Sequence, residues 1–193
     1  MSKVLLTGFE PFGQATSNPS GEIVKQISGD NIVTAILPVA YMQSAAHLLA
    51  LISEHNPDVV ICLGQAEGRT QITPEKVAIN LDDARLPDNE GVLRNDVKIV
   101  EDGPDAYFST LPVKEMVEAV KAHGIPAAVS LSAGAFLCNH VFYIAQKKFA
   151  GTHVRSGFVH VPLMDSQATE FPGLPTMPLE QMVIAVRAML EVL

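Results

Sequence analysis

Short, unbroken apolar runs recur along this chain, and most are followed by a stretch with helical period. The runs KVLLT at 3–7, IVTAILPV at 32–39, VVICLG within 58–64, AAVSL at 127–131 and FVHVPL at 158–163 lack the alternation of half-exposed strands. Strands of this kind are covered on both faces, as happens inside a parallel sheet. Asn18 and Pro19 start a helix whose buried stripe is Ile23, Val24 and Ile27. Tyr41, Ala45, Leu48, Leu49 and Ile52 mark a second helix over 41–55. Val113, Met116, Val117 and Val120 mark a third, which Gly124 and Pro126 end. Leu179, Met182, Val183, Val186, Met189 and Leu190 make the closing helix, from about 178. The alternation predicts an α/β fold, a single-domain three-layer α/β/α sandwich over 1–193 with a mostly parallel central sheet. A further strand is expected at 76–82 and a turn at PDNEG, while 92–106 has no period and reads as a surface excursion.

Composition narrows the function. Hydrophobic residues make up 48% and charged ones 18%, which excludes a disordered chain. No apolar run reaches the roughly 18–20 residues of a membrane span. The net charge of −8, with no cluster of Lys and Arg, points away from nucleic acid and from anionic membranes. MSKVLLTGFEPFG reads as a first strand and a loop with exposed aromatics at Phe9 and Phe12, and has no signal-peptide cleavage site. Two cysteines give no disulfide framework, and the expected location is the cytoplasm.

Reactive chemistry concentrates in AAVSLSAGAFLCNHVFYIAQ, residues 127–146. An apolar strand, a small-residue turn at 132–134 and a helix stripe of Phe136, Leu137, Val141, Phe142 and Ala145 put Cys138 in a helix's first turn. Free N–H groups and the helix dipole there favour a thiolate and can hold an oxyanion. The plainer reading of Cys138 is a small buried hydrophobe, which is also the reading of Cys62 within its strand. A nucleophilic cysteine needs a base. His47, His55, His123 and His153 fall on polar faces or loops, and His140 is too close to Cys138 on one helix to point the same way. His160 stands alone in an apolar strand, as a base or as a hydrogen-bonded core histidine. Among carboxylates, Glu75, Glu10, Asp82, Asp83 and Asp88 all compete, and spacing does not choose between them. No metal-ligand spacing and no nucleotide-binding glycine loop is present.

Four segments resemble the pyroglutamyl peptidase I (pyrrolidone-carboxylate peptidase) family of cysteine peptidases: LLTGFEPFGQATSNPS, GQAEGRTQITPEKVAINLDDARLPDNEG, AYFSTLP with GIPAAVSLSAGAFLCNHVFY, and SGFVHVPL. The resemblance implies Cys138 as nucleophile, His160 as general base and acid, and Glu75 as the carboxylate that orients His160. It implies Phe9 and Phe12 as walls of a slot for the pyroglutamyl ring, Asn18 as support of their loop, and Gln65 and Leu137 as pocket residues. Arg85 falls near the family's oxyanion site. Glu67 departs from the pattern, since the family more often has a small residue there. The implied reaction removes an N-terminal 5-oxoprolyl residue from peptides through a thioester, with no metal or organic cofactor and often in a homo-oligomer (dimer or tetramer). Two other readings stay open: a different enzyme on a related sandwich, such as a nucleoside phosphorylase, and a silent ligand-binding domain.

Overall fold

The computed structural model describes residues 2–193. In chain order it contains β1 (Val4–Phe9), α1 (Pro19–Gln26), β2 (Ile32–Leu37), α2 (Tyr41–His55) and β3 (Val59–Gln65). The short β4 (Thr73–Pro74), β5 (Val77–Ile79) and β6 (Ala106–Phe108) follow, then α3 (Val113–Ala122) and α4 (Leu137–Phe149). The chain closes with β7 (Arg155–Val161), β8 (Leu163–Met164), β9 (Thr176–Met177) and α5 (Leu179–Leu190). The central sheet has the order β2-β1-β3-β7-β4 and is parallel except for β4, which runs antiparallel to β7.

Residue parity decides the two faces of this sheet. Val4, Leu6, Val59, Ile61, Leu63, Val159 and Val161 pack under α1, α3 and α5. Leu5, Phe9, Val60, Cys62 and Phe158 pack under α2 and α4. His160 shares the parity of Phe158, so its side chain belongs to the α2/α4 face. The three-layer sandwich read from the sequence is therefore the observed one. Among the described residues no helix is long and apolar enough to cross a membrane.

The capping chemistry matches the sequence signals. Asn18 caps α1, its Oδ1 accepting from the Ser20 N–H at 3.1 Å, with Pro19 at the first helical position. α2 has no local side-chain cap, and the Tyr41 N–H instead donates to Asp88 Oδ2 at 2.9 Å.

Three expectations need correction. AAVSL is no buried strand: it forms isolated parallel bridges to Ile72 and Glu75, and Leu131 is 73% exposed. Its neighbour contains Pro74, which has no N–H to give, so the parallel ladder lacks a rung and stays irregular. The strand expected at 76–82 is only Val77–Ile79, and it pairs with β6 in a separate two-stranded sheet rather than centrally. β6 itself lies at the end of the unreadable stretch. Phe9, read as an exposed loop aromatic, ends β1 and is 3% exposed.

Candidate active site

The parallel strands end together, and the residues of interest lie at their C-terminal ends, where α/β sheets place their sites. His160 is in register with Gly64 of β3. A Cβ on Gly64 would lie 2.8 Å from Cys138 Sγ, so the sulfur rests directly over that glycine, beside the strand that carries His160. Cys138 reaches there because α4 starts one residue earlier, after Gly134 has turned the chain at φ 76°. Phe136 is the N-cap and has no side chain able to cap. The N–H groups of the first turn are therefore left to an incoming acceptor.

Glu75 lies next to β4 and is fully buried, with its N–H donating to Phe158 O at 2.9 Å. Its Oε1 is 2.8 Å from His160 Nδ1 and also accepts from Arg69 Nη1 at 2.8 Å. Arg69 Nη2 donates to Ser132 O at 3.0 Å, which ties the carboxylate to the turn before Cys138. The Nδ1 contact fixes the tautomer: Nδ1–H donates to the carboxylate, and the lone pair is on Nε2.

Burial dominates the electrostatics. It pushes the Cys138 thiol up to about 12, helped by the charges of Glu75 and Cys62 and opposed by Arg69 and the residue's own backbone N–H. It also pulls His160 below its ordinary value, although the hydrogen bond and charge of Glu75 act the other way. The sequence reading favoured a thiolate at the helix start. Burial instead favours the neutral thiol and the neutral imidazole, because desolvation outweighs the dipole of one helix end.

A cavity of about 310 Å³ opens over this pair. Phe9, Phe12, Phe136 and Leu137 give it apolar walls, while Asn18, Gln65, Glu67 and Arg69 supply polar edges. Phe12 packs on Phe136 with ring centroids 6.0 Å apart. Asn18 Nδ2 donates to Glu10 O at 3.0 Å and so braces the loop that carries Phe12.

A sequence model of pyroglutamyl peptidase matches residues 2–193. The pyrrolidone-carboxylate peptidase of Aliivibrio fischeri (strain MJ11) is 48% identical over 200 residues, covering 99% of this chain and 94% of that protein. That of Thermosipho melanesiensis is 50% identical over 186 residues, covering 92% and 91%. The crystal structure of pyroglutamyl peptidase I from Bacillus amyloliquefaciens superposes with a TM-score of 0.94 at 45% identity, covering 97% of this chain and 92% of that one. The chain belongs to the pyroglutamyl peptidase family. It is a peptidase, on a fold shared with the solved members of that family.

Within this peptidase the sequence-derived residues separate. Cys138, His160, Phe9, Phe12, Asn18, Gln65 and Leu137 all line the one cavity, and Glu75 stands behind His160. Arg85 does not join them. It is exposed and borders a neighbouring depression with Asp83, Leu86 and Phe136. The cationic side chain at the cavity is Arg69, which nothing in the sequence singled out although it lies in the loop between Gln65, at the end of β3, and β4, next to Glu75. Phe136 was read as a core residue of the helix stripe and is instead a cavity wall.

The competing carboxylates have other partners. Glu10 Oε1 accepts from the Val39 N–H and from Asn89 Nδ2, each at 3.0 Å, and Asp88 binds the N–H groups of Tyr41, Glu90 and Val92. Asp82 binds His140 and Arg94, away from the sulfur, and Asp83 is exposed. Among the described residues no group of three or more His, Cys, Asp or Glu is placed to hold a metal ion.

Proposed function

We propose that this chain, as one catalytic domain, removes an N-terminal pyroglutamyl residue from peptides, with Cys138 as nucleophile, His160 as base and acid, and Glu75 orienting His160. The observation that carries the reading is that Cys138 and His160 line one cavity with Phe9 and Phe12, while His160 Nδ1 is engaged by a buried carboxylate. A flat, uncharged lactam suits a slot between aromatic rings.

The reaction starts from the neutral pair. As Cys138 Sγ bonds to the pyroglutamyl carbonyl carbon, its proton passes to Nε2 of His160, and the carbonyl electrons move onto oxygen. The uncapped N–H groups at the start of α4 receive that oxyanion. The carbon–nitrogen bond then breaks, and the His160 proton leaves with the amine. Water, deprotonated by the same nitrogen, hydrolyses the thioester and regenerates the thiol. Glu75 keeps Nδ1 protonated throughout and stabilises the transient imidazolium. Both cysteines are free thiols, which suits a reducing cytoplasm.

The test is hydrolysis of a pyroglutamyl anilide. Wild type is expected to turn it over, and Cys138→Ala to lose activity by at least about a thousandfold. Stoichiometric iodoacetamide labelling at Cys138 is expected to abolish turnover. Near-normal turnover by Cys138→Ala refutes the mechanism, and an inert wild type with an unreactive thiol favours a binding module.

A further inference from the structure

Glu10, one of the carboxylates that spacing left in competition, stands between Phe9 and Phe12, two walls of the cavity. Its N–H donates to Leu37 O at 3.1 Å and its carbonyl accepts from Asn18 Nδ2 at 3.0 Å, so the backbone is held from both sides. The side chain adds a further tie. Oε1 accepts at 3.0 Å from the N–H of Val39, which is 3% exposed and is itself a wall of the cavity. Among the described residues that buried N–H has no other acceptor. The same Oε1 accepts from Asn89 Nδ2 at 3.0 Å, and the second hydrogen of that NH₂ goes to Pro11 O, also at 3.0 Å. Both groups facing Nδ2 are acceptors, so the orientation of the Asn89 amide is fixed. The Asn89 N–H closes the circuit by donating to Val39 O at 2.8 Å.

One carboxylate oxygen thus joins the aromatic loop, the junction between β2 and α2, and the PDNEG turn. Pro11 is the single residue between Glu10 and Phe12, and its ring restricts φ, so a hold on Glu10 and on Pro11 O is passed on to Phe12. We propose that Glu10 is a positioning residue of the peptidase: with Asn89 it fixes Phe12 against Val39 and so sets the width of the slot, without touching the reacting atoms. The inference rests on the pyroglutamyl reading of the cavity and adds to it the device that keeps the slot walls in place. A carboxylate suits the position because hydrogen bonds to a charged oxygen are stronger than those to a neutral one. The node makes no hydrogen bond to Cys138, His160 or Glu75, so its loss acts on ring binding before it acts on chemistry.

The test is the split between KM and kcat on a pyroglutamyl anilide, together with the rate of iodoacetamide alkylation at Cys138, a small reagent that needs no ring slot. Glu10→Ala leaves the buried Val39 N–H unpaired, and KM is expected to rise about tenfold. Both kcat and the alkylation rate should stay within about threefold of wild type. Glu10→Gln keeps an accepting oxygen and should return KM to within about threefold. Asn89→Ala, at an exposed position, should raise KM about threefold and supplies the same measurement if Glu10→Ala does not fold. A KM unchanged in Glu10→Ala, or in Asn89→Ala where only that variant folds, overturns the inference. A Glu10→Gln enzyme no better than Glu10→Ala overturns it too, as does a loss confined to kcat and alkylation with KM kept. In each of these cases wild-type turnover leaves the peptidase reading intact. A wild type that cleaves no pyroglutamyl anilide removes that reading and this inference with it.

Discussion

Gly64→Ala is the sharpest perturbation the structure offers. Gly64 has ordinary strand backbone, so the added methyl acts through space alone. Its carbon would lie 2.8 Å from Cys138 Sγ, and 2.7 Å and 2.9 Å from Cζ and Cε1 of Phe158. Ordinary contacts need about 3.5–4.0 Å, so something must retreat by roughly 0.7–1 Å. Phe158 is fully buried, with Phe9, Phe142 and His160 ring centroids 6.5, 6.0 and 4.9 Å away, and has little room. The sulfur, half-buried at the cavity wall, is the softer side of the clash. A displacement of about 1 Å at a reacting atom costs on the order of 10²-fold in rate. That corresponds to about 2.7 kcal/mol of barrier.

Overpacking of this kind also costs about 1–3 kcal/mol of stability. For a domain of this size that lowers Tm by roughly 3–10 °C. Gly157→Ala separates the two effects, because its methyl would strike Leu111 and Ser109 on the opposite face of the sheet. Both variants should lose Tm, but only Gly64→Ala should lose kcat/KM on a pyroglutamyl anilide and slow in iodoacetamide alkylation, assayed well below Tm. A Gly64→Ala enzyme within about threefold of wild-type kcat/KM, with its Tm lowered like that of Gly157→Ala, refutes the placement of the sulfur as the reacting atom.

Three further outcomes follow from the same coordinates. In the proposed mechanism the base is the neutral form of His160, whose pKa burial lowers from its ordinary 6.5, so kcat/KM should rise through a pH below that value and stay level across neutrality. A profile that climbs only above about pH 8, following thiolate formation, contradicts the neutral pair. Arg69 lowers the His160 pKa, so Arg69→Met should move the acid limb of kcat/KM to higher pH, and an unmoved limb removes Arg69 from the electrostatics of the site. Arg94→Leu leaves the fully buried Asp82 carboxylate with only His140, whereas Asp82→Asn removes the charge itself. Arg94→Leu should therefore lower Tm more in thermal melts, by roughly 5–10 °C if about 2–3 kcal/mol is lost; the reverse order contradicts this account.

How much of this was legible depended on whether a residue's role is local. The helix over 41–55 and the Asn18–Pro19 start could be read because period and capping are properties of neighbouring residues. Cys138 at a helix start was readable for the same reason. The upward push on its pKa was not, because it depends on how deeply the rest of the fold buries the thiol. The spacing of carboxylates could not choose Glu75, since what distinguishes it is pairing with His160, 85 residues away. AAVSL misled because its apolar letters are those of a central strand, while the irregularity comes from Pro74 in the segment beside it. Arg85 and Arg69 show the limit of motif transfer: both lie in loops flanking one strand region, and only the coordinates separate a cavity cation from a surface one.

The chain contains a second constellation of the same composition, and it shows why three residue types do not make a catalytic site. His140 Nδ1 is 2.8 Å from Asp82 Oδ2, and Arg94 Nη1 is 2.7 Å from that same oxygen, which repeats the arrangement of His160, Glu75 and Arg69. Both histidines are buried and both carboxylates fully so. The difference lies in what faces the rest of the ring. His140 follows Cys138 by two residues on α4, about 200° around the helix, and so turns away from the sulfur. Its ring meets the edge of Tyr41 at 5.3 Å, and Arg94 stacks over the same tyrosine at 4.5 Å. Tyr41 in turn packs edge-on against Phe136 at 5.8 Å. The second set is thus a brace behind the aromatic wall. His160 instead has a cavity before it that Cys138 shares, and a base must face its proton donor and the substrate to do chemistry. Access to that shared space, more than the presence of an acid beside an imidazole, is what supports Glu75 and His160 as the proposed working pair.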